Sequence, residues 1–351
     1  MIEPSSKIAR PDYLTEVLRC AGVLPDGGVR EVVTASSTPT ILSRIDRLRL
    51  SYDGNAGGAP ATLILKTGLP GGSGEAWSAG RQEVAFYRRI APATPGLVPY
   101  CFDAAWDADT RDWHLLLEDL TDTHVSPSTW PLPPTPEQCR AILEARARFH
   151  AAWWNDPRLG ISIGSRFDLA AAAKYAEEMI GYFTRFADRL GDRLSRERRA
   201  LYERFLPAMP SLLAQVRPRE GGTIIHGDAH VWNTFLPRDA GGRIVLFDWD
   251  AWRIGLGATD LAYMMAMHWY PDYRRCFERS LLDHYHGELL AHGAHGYDRR
   301  ALADDYRLAA FVLIATPVRQ AAHGIPTVIW WNNFERIMMA VDDLGCRELL
   351  K

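Results

Sequence analysis

One short polar loop sets the terms on which this chain can fold. It reads His226-Gly227-Asp228-Ala229-His230-Val231-Trp232-Asn233, and Phe247-Asp248-Trp249-Asp250 begins nineteen residues after Asp228. Thr223-Ile224-Ile225 before the loop and Arg243–Phe247 after it are β-branched and apolar, which predicts two short strands. Gly241-Gly242 breaks the chain ahead of the second. A fold that accepts this pattern must hold a tight loop between two strands, with a carboxylate and an amide five residues apart and a second carboxylate at the next strand end. Taken singly, Asp228 is a turn residue, Asn233 a helix cap and Asp248 a strand-end cap. The spacing is what points to chemistry.

That spacing matches the catalytic template of protein kinases, in which a loop aspartate accepts the acceptor's hydroxyl proton. There an asparagine five residues on and an aspartate after the next strand hold magnesium. Phosphoryl transfer asks for in-line positioning and charge neutralisation rather than covalent help. Magnesium prefers hard oxygen donors such as an amide oxygen and a carboxylate.

The same chemistry needs a lysine on the third strand, oriented by a glutamate on the following helix. Only four of the 40 basic residues are lysines. One of them, Lys66, ends the apolar run Ala61–Leu65. Glu83 lies on the predicted helix Glu75–Ile90, between Gly80 at i−3 and Tyr87 at i+4 on its apolar face. Glu75 competes for the role but sits at the helix start, where an acid suits the dipole. The alternative is a strand-end lysine reaching for solvent and a solvated helix charge.

Strands are predicted over Val29–Thr34, Ile41–Tyr52, Ala61–Lys66, Val98–Ala105 and Trp113–Glu118, with a glycine-rich loop from Gly68 to Gly74 before the helix. The rest reads as helical. Thr135-Pro136-Glu137-Gln138 is a capping box opening a helix to about Trp154, with further helices over Ala170–Leu190 and Ser195–Leu206. Pro207 should end or kink the last of these, and Thr259 should cap a helix over Asp260–His268. The pattern predicts an α+β chain in two parts, residues 1–120 with an antiparallel sheet and residues 121–351 mostly helical, joined near Leu120–Pro134.

Composition excludes other classes. A net charge of −3 over 351 residues leaves no whole-chain basic footprint for nucleic acid. Five scattered cysteines without a CxxC pair argue against a disulfide frame or a zinc site and for a reducing, cytoplasmic setting. The start, Met1-Ile2-Glu3-Pro4-Ser5, reads as no signal peptide, and no apolar run reaches membrane-spanning length.

The His-Gly-Asp-x-x-x-x-Asn loop, the Asp248-Trp249-Asp250 strand end and Gly257-x-x-Asp260-Leu261-Ala262 resemble the aminoglycoside phosphotransferase and choline kinase-like superfamily, including its ecdysteroid kinase-like branch. The resemblance covers residues 30–270 and implies a protein-kinase-like fold with two lobes and a small-molecule hydroxyl as acceptor. It implies Asp228 as catalytic base, Asn233 and Asp248 as Mg2+ ligands, and Lys66 on the phosphates of ATP or GTP with Glu83 as its partner. Glu118-Asp119-Leu120 would be the hinge that meets the purine, and His226 and Asp260 would be structural. One departure stands out. The expected loop between the first two strands, Thr34–Thr40, has no glycine, so Ser36 and Ser37 are the candidates for phosphate contact there.

Trp269, Tyr270, Trp330 and Trp331 are candidates for an aromatic wall against a ring-bearing acceptor, with core packing as the competing role. His150 reads as a packed core residue. His226 and His230 with Asp228, joined by His284, His286, His292 or His295, would suit a metallohydrolase only with further ligands at suitable spacing. The acceptor expected is an antibiotic or related natural product. The alternatives are a sugar, nucleoside-like or amino-alcohol metabolite, or a non-catalytic binding module of the same fold.

Overall fold

The computed structural model describes residues 7–69, 74–165, 167–216 and 221–350. Met1–Ser5, positions 70–73 of the glycine-rich stretch and the side chain of Glu75 lie outside the described residues. The chain divides into two compact units, Met1–Val125 with Phe235–Trp252, and Ser126–Thr234 with Arg253–Lys351.

The first unit opens with α1 (Pro11–Cys20), which the strand-rich sequence reading did not include. Pro11 starts it, and Leu14 and Leu18 bury its apolar face. Five strands follow: β1 (Gly28–Pro39), β2 (Ser43–Asp53), β3 (Thr62–Gly68), and, after α2 (Gly74–Arg89), β4 (Cys101–Trp106) and β5 (Trp113–Glu118). They form one antiparallel sheet in the order β1-β2-β3-β5-β4. Leu14 and Leu18 pack with Leu24, Val29, Val32, Leu48, Leu50, Leu63, Leu65 and Leu116 into one core.

The expected Thr34–Thr40 loop is corrected here. β1 continues to Pro39, with Ser36 opposite Arg47 and Ser37 opposite Asp46. The reversal is a tight turn in which Thr40 and Ser43 bind each other through backbone and hydroxyl groups, at 2.7–3.0 Å. Two threonine and serine side chains satisfying the turn let the ladder run on without glycine.

β6 (His124–Val125) closes the N-terminal stretch. The second unit begins with α3 (Pro136–Ala152), whose capping box of Thr135 and Gln138 is formed, then α4 (Leu169–Leu190) and α5 (Arg196–Gln215). α5 runs through Pro207 and Pro210 instead of ending at Leu206. Its buried stripe of Tyr202, Phe205, Leu206, Met209 and Leu212 outweighs the lost backbone bonds. Next come β7 (Gly222–Ile225), β8 (Thr234–Pro237), β9 (Val245–Leu246) and β10 (Arg253–Leu256), the ninth strand shorter than the Arg243–Phe247 expected. β7 pairs antiparallel with β10, while β6, β8 and β9 form a small sheet.

α6 (Gly257–Ala262) starts as the chain leaves β10, so Thr259 is inside the helix and not its cap. Only glycine fits at 257, because a Cβ there would lie 2.4 Å from the Tyr285 hydroxyl. α7 (Pro271–Ala291), α8 (Arg299–Val312), α9 (Ala315–Ala322) and α10 (Thr327–Asp343) complete the helical unit. Its aromatic core includes Phe183 stacked on Tyr202, and Phe186 edge-on to Trp330 and Phe334. Among the described residues, no helix is long and apolar enough to cross a membrane.

Candidate active site

The first unit builds a charged centre around Lys66. Side chains alternate along a strand. Leu63 and Leu65 of β3 enter the core beneath α1, so Lys66 faces the other way, toward α2. α2 comes close because residue 80 is glycine, where a Cβ would meet the Trp113 ring at 2.0 Å. Glu83, 1% exposed, then reaches Lys66 at 2.7 Å, and Asp248 reaches the same ammonium at 2.5 Å.

The stretch carrying Asp248 is pinned to α2. Trp249 stacks on Phe86 with centroids 4.1 Å apart, and Trp252 and Gln82 exchange side-chain-to-backbone hydrogen bonds, both 2.8 Å. Asp248 holds a φ of +67°, a left-handed backbone unusual outside glycine, which is the kind of local strain that concentrates at functional sites. Burial opposes the charge on Lys66. The charges of Asp248 and Glu83 outweigh it and hold the ammonium's pKa above the ordinary lysine value. Burial raises Glu83 above the usual carboxylate range, against the pull of Lys66.

The second unit carries the polar loop. Thr223 of β7 donates to the His150 carbonyl at 2.7 Å, and Gly227 turns the chain with a φ of +83°. Asp260 of α6 accepts the backbone N–H groups of His226 and Gly227 at 2.7 and 3.0 Å. It also meets His150 at 3.3 Å and Arg146 at 3.8 Å. Arg146 in turn donates to the Ala229 carbonyl at 3.0 Å. Burial works against the Asp260 charge, but His150, Arg146 and His226 keep its pKa far below the usual range.

Asp228 is held at both oxygens. The Tyr263 hydroxyl donates to Oδ1 at 2.5 Å, and the Asn233 amide nitrogen donates to Oδ2 at 3.3 Å and to the Asp228 carbonyl at 2.9 Å. His230 lies 3.6 Å from Oδ2, and the carboxylate keeps 33% of its surface exposed. Crowding by the surrounding chain opposes ionisation, yet His230, the Tyr263 hydrogen bond, His226 and His268 hold the Asp228 pKa below its ordinary value. His268 is pushed down to about 3 by burial and by His230, so it is neutral, with its Nδ1–H on the Tyr263 carbonyl at 2.7 Å.

Tyr263 and His268 were not among the site residues read from the sequence. Tyr263 follows Asp260 by three residues, so one helical face presents both to the loop. After Ala262 the helix widens into a π-turn over Tyr263–Met267, a feature frequent at functional sites. The i+3 position was readable, but the widened turn was not.

The family model described as ecdysteroid kinase-like matches residues 40–295. The chain belongs to the ecdysteroid kinase-like family. No curated protein matches it. Among solved structures, a Ralstonia eutropha protein described as a candidate aminoglycoside phosphotransferase superposes with a TM-score of 0.58 at 14% identity, covering 97% of this chain and 99% of its own. The choline kinase of Streptococcus pneumoniae gives 0.54 at 12%, covering 95% and 98%. An amicoumacin kinase in complex with AMP-PNP, Ca2+ and Ami gives 0.52 at 15%, covering 93% and 92%. At these identities the likeness is one of fold, the two-lobed protein-kinase-like α+β fold. Family membership places the chain among small-molecule O-phosphotransferases.

In this family member the remaining candidate residues divide. Glu118 pairs with Arg243 and accepts the Tyr100 N–H at 2.7 Å, while Asp119 binds Arg47 at 2.5 Å. The Leu120 carbonyl accepts the N–H groups of Thr123 and His124. Ser36 and Ser37 sit within the β1–β2 ladder. Trp269 and Trp330 are 0% and 1% exposed, so core packing claims them and they present no wall to an acceptor. Tyr270 is 43% exposed and Trp331 half-buried. His150 is buried between Tyr285 and Asp260. Among the described residues, no group of three His, Cys, Asp or Glu is arranged to hold a metal ion.

Proposed function

We propose that the chain transfers the γ-phosphoryl group of ATP or GTP to a hydroxyl of a small molecule in the cytoplasm, with an antibiotic or related natural product as the acceptor. The observation that carries this reading is the Lys66 ammonium gripped between Glu83 and Asp248 at 2.7 and 2.5 Å. A buried lysine oriented by a helix glutamate is the arrangement that presents a cation to nucleotide phosphates.

In this reading Asp228 accepts the acceptor's hydroxyl proton. Its carboxylate is fixed by Tyr263 and Asn233, so a lone pair meets the incoming O–H without reorganisation. The donor set fits magnesium. With its nitrogen turned to Asp228, Asn233 offers its amide oxygen, and Asp248 offers a carboxylate, both hard oxygens. Bound there, the ion would neutralise phosphate charge. Lys66 adds a second cation for the phosphates, and the grip of Asp260 on His226 and Gly227 keeps Asp228 in place. The backbone of Glu118–Leu120 completes the proposed nucleotide contacts.

The test is a calorimetric titration of the wild type with MgATP and MgGTP, beside Asp248→Ala. Saturable, magnesium-dependent binding that disappears in the variant is the expected result, and the tighter nucleotide identifies the donor. Binding of neither nucleotide, or an undiminished Asp248→Ala, overturns the reading. A screen of hydroxylated natural products, sugars, nucleosides and amino alcohols with the chosen donor then identifies the acceptor.

A further inference from the structure

A chain of contacts runs from Asp228 to the C-terminal helix. Tyr263, whose hydroxyl donates to Asp228 Oδ1 at 2.5 Å, opens the widened turn Tyr263–Met267. Such a turn gives up the regular i to i+4 bonds that fix side-chain direction in an α-helix, so the Tyr263 backbone needs another hold. His268 supplies it. Its backbone N–H goes to the Met265 carbonyl, and its side chain turns back so that Nδ1 meets the Tyr263 carbonyl at 2.7 Å. A carbonyl only accepts, so Nδ1 carries the proton, and the neutral ring is held in one tautomer.

The His268 ring is also wedged in place. It is 4% exposed, and its centroid lies 4.9 Å from that of Tyr263. The rings of His230 and Trp232 meet it edge-on at 5.6 and 5.8 Å. Those two belong to the loop that carries Asp228. A ring packed between the loop and the widened turn has no room to change rotamer.

Arg336 of α10 fixes residue 268 from the other side. Its Nη1 donates to the His268 carbonyl at 2.6 Å, and its guanidinium lies 4.1 Å over the Tyr270 ring. Arg336 is 3% exposed, and among the described residues it has no ion pair. Burial lowers its pKa, with Tyr270 and no acid opposing. A buried cation without a counter-charge costs stability, so stability does not explain a guanidinium at this place. The bond to the His268 carbonyl does. α10 lies outside residues 40–295, which the family model matches, so this support comes from a part of the chain beyond the family pattern.

We propose that His268, anchored by Arg336, is a positioning residue for the base: it fixes the Tyr263 backbone so that the Tyr263 hydroxyl stays on Asp228. Both residues act through Tyr263. The assignment rests on the kinase reading and adds to it a support built by the C-terminal helix.

The test has two arms. The first needs no activity. 3-Fluorotyrosine is placed at residue 263, and its fluorine resonance is recorded without nucleotide or acceptor, with Asp228→Ala marking the position of the uncoupled phenol. His268→Asn keeps an N–H where Nδ1–H stands, whereas His268→Gln moves it to the far side of the former ring. His268→Gln and Arg336→Met should shift the resonance toward the Asp228→Ala position. His268→Asn and Arg336→Lys, which keep the two donors, should leave it near wild type. A resonance that ignores His268→Gln, or that moves equally in His268→Asn, overturns the proposal. The His268 pair decides the case if Arg336→Met does not fold.

The second arm is steady-state kinetics with the donor and acceptor that the screen identifies. His268→Gln should lower kcat by about 5- to 10-fold with both KM values within about twofold of wild type, and His268→Asn should recover most of the loss. In a Tyr263→Phe background, where the hydroxyl is gone, His268→Gln should cost less than about twofold more. Losses that multiply in the double variant, or a loss carried in KM, overturn the proposal. If no donor is used at all, the kinase reading fails while the fluorine arm still judges the contact.

Discussion

Replacing Lys66 with methionine removes the cation but keeps a chain of similar length. The side chain is 11% exposed, and its two partners differ. Glu83 is 2% exposed at the side chain, whereas Asp248 is 36% exposed. Water can take over at Asp248 but not at Glu83, so the cost falls on one buried carboxylate. Breaking a buried pair from one side typically costs about 3–5 kcal/mol. With one of the two carboxylates resolvated, the lower end, about 3 kcal/mol, is expected. Urea unfolding followed by tryptophan fluorescence at neutral pH, without nucleotide, measures it. Adding Glu83→Gln to Lys66→Met removes the stranded charge and should restore about 2 kcal/mol.

The deficit should also depend on pH with a definite sign. Glu83 already has a folded-state pKa above its unfolded value, and loss of Lys66 removes the cation that lowers it. A carboxyl shifted upward favours the fold while protonated and loses that contribution as pH rises through its unfolded and then its folded pKa. The Lys66→Met variant should therefore be least impaired in acid and most impaired at neutral pH. Equal stability of the single and double variants, or a deficit that ignores pH, would refute the argument.

Other outcomes follow from the same geometry. Tyr263→Phe removes one charge-assisted hydrogen bond from the partly exposed Asp228. It should lower kcat by about 5- to 30-fold, and because that bond lowers the Asp228 pKa, the acid limb of kcat/KM should move to higher pH. An unmoved limb with kcat within about twofold of wild type would count against the assignment. Asp228→Asn should reduce kcat by about 10²–10⁴ with nucleotide affinity nearly intact, and wild-type turnover would remove it as the base. Gly80→Ala places a methyl against the Trp113 ring and should cost about 1–3 kcal/mol in the same urea assay, whereas unchanged stability would show that α2 has room to shift.

Much of the architecture was legible locally. β-Branched and alternating apolar residues marked the first two strands, the Thr135–Gln138 box marked α3, and the scarcity of lysine singled out Lys66. These signals are short-range, carried by residues a few positions apart. α1 was missed because its ten residues matter only once Leu14 and Leu18 meet the sheet. Pro207 misled because a proline's local penalty says nothing of the apolar stripe that holds α5 together. The serine–threonine stretch Thr34–Thr40 looked like a loop until pairing with β2 extended it as strand.

The candidate functional residues divide the same way. Residue identity and spacing alone marked Asp228, Asn233, Asp248, Lys66 and Glu83, because phosphoryl transfer requires particular groups at particular separations. Spacing could not reveal that Tyr263 holds the Asp228 carboxylate, since that contact depends on a widened helical turn. Nor could composition separate the buried Trp269 and Trp330 from the exposed Tyr270, because burial belongs to packing between helices distant in sequence.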